Sequence, residues 1–154
     1  MKDTDMIKKE LIYLDTKAKN KEELLSKLSD ILYEKGYVKE SFKQAIIDRE
    51  KIYPTGLPTL GAKVALPHTD TEHVIKPAIL VSTLEKPVKF IEMGNGTTVL
   101  DVEMVFMLAV KNPSHQVKVL QKLINMFEKE DVLTSLKKCK DTNCIYNTLK
   151  REIN

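Results

Sequence analysis

No stretch of this 154-residue chain approaches the run of about 18 apolar residues that a membrane-spanning helix needs, and the opening MKDTDMIKKE lacks the apolar core of a secretion signal. Both absences point to a cytoplasmic protein. Lysine and arginine exceed aspartate and glutamate by only three, and the basic residues are interleaved with acids along both halves. That distribution makes no basic stripe to track nucleic-acid phosphates. The two cysteines, Cys139 and Cys144 in CKDTNC, fit no common zinc knuckle and have no second pair to complete a tetrahedral site. They are read as reduced, structural thiols. The chain also lacks a G-x-x-x-x-G-K-[ST] phosphate loop, an H-E-x-x-H helix, an internal repeat, a low-complexity tract and a linker. ATP-cradling chemistry has no support, and one globular domain over 1–154 is expected from a composition that is 42% hydrophobic and 31% charged.

What is present alternates between strand and helix signals. Glu10 to Asp15 (ELIYLD) alternates and is rich in strand formers. Asn20 with Glu23 three residues on makes a helix cap, and Leu24, Leu25, Leu28, Ile31 and Leu32 recur at helical spacing until Gly36 stops the run. A second helix runs from Glu40 to about Tyr53, where Pro54 ends it. PTGLPTLG, Pro54 to Gly61, reads as a loop shaped by its own backbone chemistry. Strands are then expected over the run ending at Pro67, over Ala78 to Leu84, and over Val99 to Val110, with a Gly-Asn-Gly turn at 94–96. From Ser114 onward the pattern predicts helix, then a short helix at Asp131 to Leu136, then a last one capped by Asp141. A mixed sheet flanked by helices on both faces, a three-layer α/β domain, buries these patterns.

Three groups sit where structure alone would not put them. In AKVALPHTDTEHV an alternating run drives into Pro67 and then His68. Proline removes a ladder donor, so the strand ends there and delivers His68 to an edge or C-terminal crevice, where α/β proteins bind ligands. On the second helix the inward stripe is read as Phe42, Ala45, Ile46, Arg49, Ile52 and Tyr53. A guanidinium there keeps its charge and needs either an anion or water; it snorkels, pairs with a distant acid, or serves a transient anion such as a phosphoryl group. In NPSHQV, Pro113 and Ser114 open a helix and place His115 in its first turn, where unpaired amides and the helix dipole favour anions. An imidazole, a second imidazole, an arginine and helix-end amides suit phosphoryl transfer to and from histidine. In that reaction a neutral ring nitrogen attacks phosphorus in line, and fixed positive groups stabilise the charge spread over the equatorial oxygens. That chemistry requires no metal and no cofactor.

GAKVALPH, Gly61 to His68, resembles the phosphorylation-site motif of the fructose/mannitol-type IIA proteins of the bacterial phosphoenolpyruvate-dependent sugar phosphotransferase system. DREKIYPTGL is similar to that family's Arg-Glu segment, and PSHQVKVLQKLINMF to its second-histidine helix, so the resemblance covers most of the chain. The resemblance implies His68 as the phosphohistidine, Arg49 as the phosphate-stabilising cation and His115 as the second imidazole of the site. It also implies HPr as phosphoryl donor, a cysteine on a IIB protein or domain as acceptor, and a IIC permease downstream. Nε2 is the family's expected phosphorylated nitrogen. Thr69 departs from the small residue of the mannitol and fructose pattern, whereas YPTGLP with PHTDTEHV looks more like the galactitol branch.

Two other readings compete. His68, Asp70 and His73 are ligand types within six residues, but no ligand cluster accompanies them. His73 is therefore read as a turn residue or a partner contact, and no metal is expected. The stronger rival is a regulatory module that uses the same phosphohistidine to report phosphorylation state to a partner protein.

Overall fold

The computed structural model describes residues 3–153. Five strands, β1 (Ile7–Thr16), β2 (Gly56–Leu57), β3 (Val64–Ala65), β4 (Ala78–Ile91) and β5 (Val99–Ala109), form one sheet in the order β1-β4-β5-β3-β2. The sheet is mixed: β1 with β4 and β3 with β5 are parallel, β4 with β5 and β2 with β3 antiparallel. Five helices cover it, α1 (Lys21–Glu34), α2 (Phe42–Ile52), α3 (Pro113–Phe127), α4 (Glu130–Lys138) and α5 (Thr142–Glu152).

The period-2 alternation of β5 divides the apolar interior in two. Met104, Phe106, Leu108 and Val110 point with Val64, Leu66 and Val81 into a core closed by Val119, Leu123 and Phe127 of α3, Leu133 and Leu136 of α4, and Ile145 and Leu149 of α5. Val105, Met107 and Ala109 point the other way, with Leu11, Ala65 and Leu80, against Leu24, Leu25, Leu28 and Leu32 of α1 and Phe42 and Ile46 of α2. The three-layer α/β architecture is the expected one.

The departures are local. β4 continues past Leu84 to Ile91 because the ladder slips register between Thr83 and Val88, which leaves Pro87 exposed at the irregularity instead of breaking the strand. The loop after Pro54 contains β2, too short to carry an alternation. On α2, Ile52 (69% exposed) and Tyr53 (61%) face outward, and the buried position after Phe42 and Ile46 is Glu50. Cys139 and Cys144 are joined in a disulfide, not held as free thiols, because the end of α4 and the start of α5 bring their Cα atoms to 5.6 Å, inside bridging range.

Candidate functional site

The sheet order explains why distant segments meet. Because β3 and β5 are parallel, the chain leaving β3 toward His68 and the chain leaving β5 toward α3 emerge at the same end of the sheet. Because β2 is antiparallel to β3, the residues entering β2 from α2 arrive there too, and the Leu66 N–H donates to the Thr55 carbonyl at 3.2 Å. Carboxyl ends of parallel strands are where such sheets bind ligands.

At that end the Pro67 carbonyl accepts the Leu108 N–H at 3.0 Å, the last bond beside β3, and His68 follows. Its Nδ1 lies 2.8 Å from the Leu66 carbonyl oxygen. A carbonyl only accepts, so Nδ1 carries the proton of the neutral ring and Nε2 keeps its lone pair. Nε2 has no hydrogen-bond partner among the described residues. Burial above all, and the Arg49 charge, push the pKa of His68 down, while the Leu66 bond and Asp70 act in the opposite direction. The ring is thus held as a neutral base with one nitrogen available.

Arg49 sits in the last turn of α2 with its guanidinium 4.9 Å from the centre of the Tyr53 ring. Its Nη1 is 3.6 Å from Asp70 Oδ1, an acid two residues beyond His68 that no reading of the helix stripe alone would supply. Its Nε is buried without a hydrogen-bond partner among the described residues. An unsatisfied buried guanidinium N–H is costly, and an anion would satisfy it.

His115 lies in the first turn of α3, as expected, but the amides around it are occupied. The cap is Asn112, whose Oδ1 accepts the backbone N–H of Ser114 at 2.9 Å and of His115 at 3.2 Å. The expected free helix-end amides are therefore corrected: a carboxamide one residue before Pro113 outcompetes solvent for them. Gln116 Nε2 donates to the Thr69 carbonyl at 3.0 Å, which pins this turn of α3 to the residue after His68. His68, Arg49 and the turn bearing His115 thus share one end of the sheet.

His73 is committed elsewhere. Its Nδ1 is 2.8 Å from Ser41 Oγ and its carbonyl accepts the Lys39 N–H, tying the turn after His68 to the start of α2. Among the described residues no group of three or more histidine, cysteine or acidic side chains is placed to hold a metal ion.

Glu50, absent from the stripe expected of α2, is one of its buried residues. It is 3% exposed, and its carboxylate accepts the Thr55 N–H at 2.7 Å and the Thr55 hydroxyl at 2.8 Å. Burial pushes its pKa up to about 7 against the opposing effects of the Thr55 bonds, Lys21 and Arg49. The signal was available, since Phe42, Ile46 and Glu50 recur every four residues.

Fold and site together define an α/β/α domain that offers a neutral imidazole nitrogen beside a fixed guanidinium, an arrangement suited to taking up and releasing an anionic group. Residues 5–152 match the family described as "Phosphoenolpyruvate-dependent sugar phosphotransferase system, EIIA 2", and the chain belongs to it. It is 29% identical over 117 residues to the galactitol-specific EIIA component of Escherichia coli K12, covering 76% of this chain and 77% of that protein. It is 34% identical over 102 residues, 66% of this chain, to the transcriptional regulator ManR of Bacillus subtilis, of which the match spans only 14%. Among solved structures it is similar to the Escherichia coli IIA–phosphorylated IIB mannitol complex, with a TM-score of 0.77 and 27% identity, covering 93% of this chain and 97% of that one.

Proposed function

We propose that this protein is a phosphocarrier whose His68 Nε2 accepts a phosphoryl group from the phosphohistidine of HPr and passes it to a cysteine of a IIB protein or domain. The observation that carries this reading is the Nδ1–H of His68 held on the Leu66 carbonyl, which leaves Nε2 as the nucleophile. On acceptance the N–P bond of the donor breaks as the Nε2–P bond forms. On release a cysteine thiolate attacks phosphorus, the Nε2–P bond breaks and the electron pair returns to Nε2. The proton on Nδ1 stays in place through both steps, so the leaving group is a neutral imidazole and no proton transfer limits either direction. Arg49, with its unpartnered Nε, stabilises the equatorial oxygens, and His115 serves as the second imidazole at this end of the sheet.

The chain would act as one EIIA unit in the cytoplasm, with a IIC permease reached only through IIB; among the described residues no helix is long and apolar enough to cross a membrane. Galactitol is the proposed sugar, supported by YPTGLP and by the galactitol relative. Mannitol-specific components at 30–32% identity support the polyol class equally.

The test is intact mass after incubation with phosphoenolpyruvate, enzyme I and HPr. One acid-labile phosphate is expected, absent from His68→Ala, and Arg49→Gln should accept it about 10- to 100-fold more slowly while remaining folded. A phosphate that persists in His68→Ala would overturn the assignment. A second reading, a regulatory module, is favoured by the 34% identity to a transcriptional regulator. Phosphoprotein that keeps its label in the presence of IIB components would support that role over transport.

A further inference from the structure

Glu50 does not touch His68, yet a continuous set of hydrogen bonds runs from it to the His68 ring. Its carboxylate accepts both the N–H and the hydroxyl of Thr55, at 2.7 and 2.8 Å. The Thr55 carbonyl in turn accepts the Leu66 N–H, and the Leu66 carbonyl accepts the Nδ1–H of His68 at 2.8 Å. The path up to the half-buried ring is closed off from solvent: Glu50 is 3% exposed, Thr55 2% and Leu66 0%. Alternative water partners are therefore not at hand if one bond is lost, and each bond constrains the next.

Thr55 is also the residue at which the chain turns from α2 into β2. The following Gly56 is wedged so closely that a Cβ there would lie 2.7 Å from the Ile91 carbonyl oxygen, and its own carbonyl accepts the Met93 N–H at 2.7 Å. The Thr55 turn is thus held by the β4–β5 hairpin on the Gly56 side, and the Thr55 N–H and hydroxyl are held by Glu50. Glu50 adjoins Arg49 in the same helical turn, so a single element carries both the cation and the anchor of the nucleophile's backbone.

We propose that Glu50 is a positioning residue for the His68 reaction: acting through Thr55 and Leu66, it sets the ring orientation and tautomer of His68 relative to Arg49. This rests on His68 being the phosphoryl acceptor. The effect is carried by geometry and not by relayed charge, because the N–H and the carbonyl of Thr55 belong to different peptide groups, as do those of Leu66. A side chain that keeps the bonds without the charge should therefore serve. Glutamine does so, with its carbonyl on the Thr55 N–H and its amide donating to the Thr55 oxygen; methionine fills the same volume and accepts nothing.

The experiment uses the full chain with Glu50→Met, Glu50→Gln and Thr55→Val. The readouts are the rate of phosphorylation by phospho-HPr and the ¹⁵N chemical shifts of the His68 ring in unphosphorylated protein, which report the tautomer without any transfer. Glu50→Met is expected to slow phosphorylation about 10- to 100-fold and to mix the two neutral tautomers. Glu50→Gln should recover to within about threefold of wild type, with Nδ1–H retained, as expected for a role in geometry. Thr55→Val, which deletes only the hydroxyl donor, should fall between them and decides the matter if Glu50→Met does not fold. Wild-type rates and a single Nδ1–H tautomer in Glu50→Met, or in Thr55→Val should the former be unfolded, would overturn the proposal. Failure of the phosphocarrier assignment is distinguishable, because wild type itself would then take up no phosphate or His68→Ala would keep it.

Discussion

At the scale of single residues, His68 and Glu50 pull the pH dependence of stability in opposite directions. His68 has a folded pKa below its ordinary value of 6.5, chiefly through burial. As the pH drops below 6.5 the unfolded chain takes up a proton that the folded ring resists, so this group's contribution falls with falling pH and is fully present above 6.5. Glu50 is the reverse. Its folded pKa of about 7 lies above the unfolded 4.5, so the folded state binds the extra proton and stability falls as the pH rises from about 4.5 through 7. A shift of that size corresponds to a cost on the order of 3 kcal/mol for the ionised carboxylate. Glu50→Gln is accordingly expected to raise the urea midpoint at pH 8 and to leave it nearly unchanged at pH 4.5. Equal midpoint shifts at both pH values would show that the burial cost is not what the substitution removes. His68 was legible in the sequence because proline stops a strand on it. Glu50 shares a four-residue recurrence with Phe42 and Ile46, but a carboxylate on a helix reads as solvent-facing until Thr55 is seen to satisfy it.

At the scale of elements, the loop between α2 and β3 leads into the His68 segment and sets Thr55 against Leu66, and Gly61 shows how tightly it is held. Gly61 has φ +88°, and a Cβ there would lie 2.8 Å from both the Glu130 carbonyl oxygen and Thr134 Oγ1 of α4. Glycine is demanded twice, by the left-handed backbone and by the close approach. Gly61→Ala should cost at least about 1–2 kcal/mol from backbone conformation alone, with the clash added, read as a lower unfolding midpoint in urea. A change under about 0.5 kcal/mol would mean that the loop can move away from α4 freely. Helix caps were legible at this scale: Asn20 Oδ1 accepts the Glu23 N–H at 2.9 Å, and Asp141 Oδ1 accepts that of Cys144 at 2.8 Å. α3 opens at Pro113 with His115 in its first turn, as read from NPSHQV, but only the fold shows that the Asn112 side chain turns back onto the amides.

For the molecule as a whole, the two cores lie on opposite faces of the sheet, and the Cys139–Cys144 disulfide closes only the short connection between α4 and α5. Closing so small a loop limits its effect to roughly 2 kcal/mol. Reduction should therefore lower the melting temperature without abolishing the cooperative transition. Alkylation of both cysteines in unreduced native protein would show instead that the thiols are free. The alternation of helices and strands, the three-layer packing and the place of His68 just past a proline were legible in the chain, because hydrophobic period, caps and proline act within a few residues of one another. That Arg49 meets Asp70, that Gln116 clasps Thr69 and that Glu50 reaches Thr55 on the path to His68 emerges from the folded chain. Each of those contacts depends on which strands lie side by side, and β3 pairs with β5 and β2 through hydrogen bonds between segments whose order in the sheet no local pattern encodes.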